Sequence, residues 1–136
     1  MKKLTFLLIG LIFFSACREE IIEPDNFVEN VNEPVRINER NSYIFLLNAQ
    51  DFSMNLSVPA SFNSYRTRFN VTLIDYESGY ISITVKDFDQ QERFRYFVAE
   101  EVSFHSDLLD GYVLKTINIS TVNFSGKIKA EFRKTL

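Results

Sequence analysis

The chain has 136 residues, a formal net charge of −3, one Cys, one His, 4 Gly and 3 Pro. That length gives one ordinary domain, a single Cys excludes a disulfide framework, and one His with one Cys excludes a zinc cage of normal ligand count. Scarce Gly and Pro exclude collagenous and low-complexity architectures, and an acidic balance offers no general attraction for nucleic acid.

The first segment joins a charged start, Met1-Lys2-Lys3, to a mainly apolar run from Leu4 to Phe14 and then to Ser15-Ala16-Cys17. This is the order of a secretory signal: n-region, h-region and small-residue cleavage site. An 11-residue run from 4 to 14 would rise only about 16 Å as a helix, roughly half the thickness of a bilayer core. Residues 1–16 are therefore expected to be removed, and loss of Lys2 and Lys3 leaves 13 basic residues against 18 acidic ones.

Ser15-Ala16-Cys17 resembles the end of the lipobox of bacterial lipoprotein signals, with Phe14 standing where that family usually has Leu. The resemblance implies that Cys17 becomes an acylated N-terminus. Several acyl chains, at about 0.8 kcal/mol per buried methylene, would make release from the membrane negligible. Glu19-Glu20 directly after it resembles the acidic stretch of Bacteroidota surface lipoproteins, which implies a bacterial outer-membrane location on the periplasmic or cell-surface side.

From Cys17 to Asn41, Glu19, Glu20, Glu23, Asp25, Glu29, Glu33 and Glu39 outnumber Arg18, Arg36 and Arg40, and Pro24 and Pro34 interrupt any helix. Ile21-Ile22 and Phe27-Val28 lack a sustained period and would at most add a stray edge pairing. Residues 17–41 are expected to be a flexible acidic tether.

Residues 42–136 carry a strand period. Phe52, Met54, Leu56 and Val58 alternate with Asp51, Ser53, Asn55 and Ser57; Phe69, Val71 and Leu73 with Arg68, Asn70 and Thr72; Ile81, Ile83 and Val85 with Ser82, Thr84 and Lys86; and Ile128, Ala130 and Phe132 with Lys127, Lys129 and Glu131. Such alternation marks half-buried strands. Less regular runs at 43–47, 94–99 and 112–119 suit strands covered on both sides. Gly79, Gly111 and Gly126 fall between runs, as hairpin punctuation would, and Asp87 to Gln91 forms a fourth connection. Eight or nine short strands predict an all-β fold: a single antiparallel β-sandwich, immunoglobulin-like or jelly-roll-like, with a partly closed barrel as the second choice.

Catalytic signatures are weak. His105-Ser106-Asp107 has the residue types of a triad, but neighbours on a strand point apart. Glu100-Glu101, with Glu92, could supply hydrolase carboxylates only by converging across a sugar. No G-x-S-x-G elbow or phosphate loop is present, so no enzyme activity and no cofactor are expected. Asp87, Asp89, Asp107 and Asp110 are calcium candidates if two loops meet.

Binding features are better supplied. Tyr65, Tyr76 and Tyr80 lie near strand ends, where their rings could form a glycan platform. Arg66 and Arg68 share one outward face and Arg93 and Arg95 another, a basic stripe if the strands are neighbours. These features predict a non-catalytic, lipid-anchored envelope binding or accessory protein with a protein partner. The alternatives are a glycan-binding lipoprotein for nutrient capture and a small envelope hydrolase.

Overall fold

A computed structural model describes residues 30–136, and the expected signal peptide and Cys17 lie outside the described residues. Six strands follow in chain order: β1 (Val35–Glu39), β2 (Ser42–Pro59), β3 (Arg66–Lys86), β4 (Glu92–Val98), β5 (Val102–Asp110) and β6 (Thr116–Lys134). All pairings between strands are antiparallel. The order is β1-β2-β6-β3-β4, with β5 also on β3.

The free edge of β3 is shared. β5 pairs with its first part, from Arg66↔Asp110 to Leu73↔Val102. β4 pairs with its last part, from Ile81↔Val98 to Lys86↔Glu92. This division reflects the length of the central strands, at 18, 21 and 19 residues for β2, β3 and β6.

Those three strands bend together near their middles. Register shifts fall between Ala49 and Met54 on β2 and between Ile74 and Tyr80 on β3, opposite 121–126 of β6. Positive φ angles cluster there, at Asp51 (48°), Asp75 (52°), Gly79 (76°), Asn123 (45°) and Gly126 (152°). Bulges of this kind add twist and turn a strand through a corner. Side chains take up backbone groups the disturbed ladder leaves: Ser125 Oγ accepts from Asp51 N at 2.9 Å, Thr121 Oγ1 from Met54 N at 3.0 Å, and Ser53 Oγ from Asn123 N at 2.8 Å.

The bend folds one sheet over on itself, giving the expected sandwich without closing a barrel. One layer holds β1, the start of β2, the end of β6, the start of β3, and β5. The other holds the remaining halves and β4. Between them lie Tyr43, Phe45, Leu47, Phe69, Val71, Leu73, Ile81, Ile83, Val85, Ile117, Ile119, Ile128 and Phe132, all at 0–1% exposure. Each is on the apolar phase of a strand, so the period read in the sequence is the packing of the core.

Two expectations are corrected. Eight or nine short strands become six because Gly79 and Gly126 lie inside β3 and β6, at corners, and only Gly111 follows the end of a strand. The folded region also begins before Ser42. Asn32 clamps β2, donating from its backbone N to Asn48 O at 2.7 Å and accepting from Gln50 N through Oδ1 at 2.8 Å. β1 then pairs from Val35↔Leu46 to Glu39↔Ser42. Every residue of β1 is exposed, so its pairing rests on backbone bonds and leaves little apolar period to read.

Candidate functional site

Opposite the bend, the sandwich ends in loops. Residues 60–65 cross from β2 to β3, 87–91 turn β3 into β4, and 111–115 cross from β5 to β6. They enclose a groove of about 480 Å³ lined by Phe62, Asn63, Tyr65, Asp87, Phe88, Arg93, Gly111, Tyr112, Val113 and Lys115. That volume lies within the roughly 300–1,000 Å³ of small-molecule sites.

Backbone bonds lace the loops together. Gly111 N donates to Tyr65 O at 2.9 Å, Ala60 N to Lys115 O at 2.8 Å, and Lys115 N to Lys86 O at 3.0 Å. Asn63 N donates to Asn41 Oδ1 at 2.8 Å. A site tied this way is largely formed before a ligand arrives, which reduces the ordering cost of binding.

Phe62, at 2% exposure, joins the hydrophobic core beneath the groove. Tyr65 and Phe88 stand out of it at 67% and 78% exposure. Tyr112 is half-buried, and burial, opposed by the Arg93 charge, pushes its phenol up to about 12. A phenol is a neutral donor near pH 7 even at its ordinary value of 10.0, and the rise extends that state to higher pH.

Asp87 organises the turn. Its Oδ1 accepts from Asp89 N at 2.9 Å and Gln91 N at 3.0 Å, while Oδ2 takes Nε of Arg93. The Arg93 hydrogen bond, supported by the two backbone donors, holds the carboxyl below its ordinary value. Lys115 Nζ lies 5.6 Å from the centroid of the Phe88 ring, a cation–π arrangement, and donates to Phe62 O at 3.4 Å.

Of the tyrosines singled out in the sequence, only Tyr65 lines this groove. Tyr76 is half-buried and donates its hydroxyl to Gly79 O at 3.0 Å. Tyr80 packs on Phe97 with ring centroids 5.1 Å apart, on another surface.

The four arginines do not make one stripe. Arg66 and Arg68 are on the part of β3 that pairs with β5, whereas Arg93 and Arg95 are on β4, at its other end. Each also has a partner of its own: Arg66 with Asp110 (3.8 Å), Arg68 with Ser106 Oγ (3.3 Å), Arg93 with Asp87, and Arg95 with Glu92 (2.8 Å).

The acidic candidates disperse. Asp107 pairs with His105 at 2.7 Å, Asp110 faces Arg66, Asp87 is occupied in its turn, and Asp89 is exposed. Among the described residues no cluster of three potential ligands could hold a metal ion. Glu100 and Glu101 are exposed in the β4–β5 connection, and Glu92 is paired with Arg95. His105 and Asp107 share one face of β5 and Tyr96 stacks on the imidazole at 4.9 Å, while Ser106 points the other way to Arg68.

Sequence reasoning missed Phe88, Tyr112 and Lys115. Phe88 had a legible signal, a Phe between Asp87 and Asp89 inside a turn, where no core face exists.

No family model matches the chain, and neither does any curated protein. Among solved structures, a family 29 carbohydrate-binding module is similar at 13% identity, with 74% of this chain and 72% of that one covered and a TM-score of 0.42. A mutant module of that family complexed with mannohexaose gives 12% identity, 74% coverage of both chains and a TM-score of 0.41. A glycosylation-associated protein complex from Streptococcus agalactiae gives 12% identity, 80% of this chain, 42% of that one and a TM-score of 0.40.

Proposed function

We propose that this protein is a glycan-binding module held on the bacterial envelope through acyl chains on Cys17. The observation that carries the binding reading is the groove in which two highly exposed rings, Tyr65 and Phe88, flank polar groups of Asn63, Tyr112, Arg93 and Lys115. A sugar presents an apolar C–H face and a rim of hydroxyls. Planar rings suit the first, and fixed donors and acceptors read the second. The anchor is supported by the lipobox-like Ser15-Ala16-Cys17, and the acidic stretch after it supports display away from the bilayer.

Calorimetric titration with a panel of oligosaccharides tests the binding reading: the intact chain should bind at least one glycan class, and the double variant Tyr65→Ala/Phe88→Ala should bind it roughly thirtyfold more weakly. Binding unchanged in that variant refutes the site. The anchor is tested by Cys17→Ala, which should move the protein from the membrane fraction to a soluble one; unchanged fractionation refutes it.

A second reading, a protein partner in an envelope complex, is favoured by one observation. Tyr80 (37%), Phe97 (58%) and Val122 (36%) are exposed on the outer side of the sandwich, with Tyr80 opposite Val122 in register. Crosslinking in native membranes should capture a partner that Phe97→Ser releases. An unchanged crosslink pattern would remove this reading.

A further inference from the structure

We infer that the groove prefers acidic saccharides, those bearing a carboxylate or sulfate, over neutral ones; this rests on the glycan reading above. The charges lining the groove are Asp87, Arg93 and Lys115. Asp87 contributes little to a ligand. Its side chain is 8% exposed, and its oxygens already accept from Asp89 N, Gln91 N and Arg93 Nε.

The cations are placed differently. Arg93 meets Asp87 through Nε, and its side chain remains 43% exposed. The terminal nitrogens of the guanidinium form the planar pair that matches a carboxylate or sulfate. Lys115 is held over the Phe88 ring and near the Phe62 carbonyl, two contacts that position the ammonium without cancelling its charge. Tyr112 adds a hydroxyl that stays neutral to high pH.

Two cations against one inward-turned carboxylate leave the lining of the groove net positive on a chain whose net charge is −3, with the exposed Asp89 in the turn outside that lining and Asp110 paired with Arg66. Phe88 joins the two halves of the inference. The Lys115 ammonium approaches one face of the exposed Phe88 ring at 5.6 Å, so a sugar stacked on the opposite face would carry its substituents past the ring edge toward that charge.

The test uses the full chain in detergent with three probes: an oligouronate, the same oligosaccharide after carboxyl reduction, and a sulfated oligosaccharide. The oligouronate or the sulfated probe should bind at least tenfold more tightly than the reduced one, with affinity falling as salt rises. Whichever anionic probe binds tighter identifies the group recognised. Lys115→Met should lose most of the preference and Lys115→Arg should keep it. Equal or tighter binding of the neutral probe, or a preference retained in Lys115→Met, overturns the inference and leaves the glycan reading standing. Failure of the intact chain to bind any saccharide in the wider panel overturns both.

Discussion

Phe69 of β3 meets Phe94 of β4 edge to face, with ring centroids 5.2 Å apart. Yet the β3 residue opposite Phe94 in register is Val85, 16 positions beyond Phe69. On a straight strand those positions would be about 53 Å apart. The contact exists because β3 doubles back at its bend, so it records closure of the two layers. Phe69 also packs on Tyr96 and Phe132, at 5.3 and 4.9 Å. Phe69→Ala should therefore cost about 3–5 kcal/mol in urea unfolding, the range for an aromatic truncated in a core. A loss below about 1 kcal/mol would contradict the closed packing.

The glycines separate corner from loop. A Cβ on Gly79 would stand 2.3 Å from the Asn123 carbonyl oxygen, backbone that cannot swing aside, and φ there is +76°. Gly111 has a similar φ of +87° with nothing within 4 Å of an added Cβ. Gly111→Ala should cost only the conformational strain of about 1–2 kcal/mol. Gly79→Ala should prevent the corner from forming and yield little soluble folded protein. Circular dichroism and soluble yield of the two variants, side by side, decide this; equal behaviour would refute the distinction.

These corners explain what could and could not be read beforehand. Alternation located the core faces of β2, β3 and β6 because each half-strand buries one side. It could not show that two runs belonged to one strand. The corner residues Asp51, Asp75 and Asn123 are turn formers in most settings, and here their positive φ occurs within continuous strands. β1 was hidden for a different reason: its alternation is only two apolar residues long, Val35 and Ile37, both left exposed, too short to stand out from the acidic stretch around it. The groove was legible only in part. It is assembled from three loops spread between positions 60 and 115, and local sequence reports which residues sit in loops without reporting which loops meet.

Tyr65 and Phe88 give the site its sharpest test. Both rings are largely exposed, so removing either should change folding stability by no more than about 0.5 kcal/mol. Each should nevertheless weaken glycan binding by about 1 kcal/mol, roughly fivefold, if a sugar face rests on the ring. Tyr80→Ala serves as the control, because that ring packs on Phe97 away from the groove. Parallel losses in all three variants would show that exposed aromatics act nonspecifically and not as a site.

Tyrosine ionisation probes the interior and the groove together. Burial raises Tyr43 and Tyr112 to about 12, against an ordinary value of 10.0, with Arg36 and Arg93 respectively opposing the rise. A raised value means that the folded state favours the neutral phenol. The associated stability is complete below pH 10.0 and lost as pH climbs toward about 12. Tyrosinate absorbance should show late-ionising groups, one abolished by Tyr43→Phe and another by Tyr112→Phe. The two variants should then differ in glycan binding. The Tyr43 hydroxyl is buried with no hydrogen-bond partner, so its removal relieves an uncompensated desolvation and should be neutral or stabilising by up to about 1 kcal/mol. Tyr112→Phe should instead leave stability near that of the parent chain and weaken glycan binding, because it deletes a donor from the groove. A destabilised Tyr43→Phe would mean that the phenol has a partner in solution and that the interior at this end of the sandwich is wet.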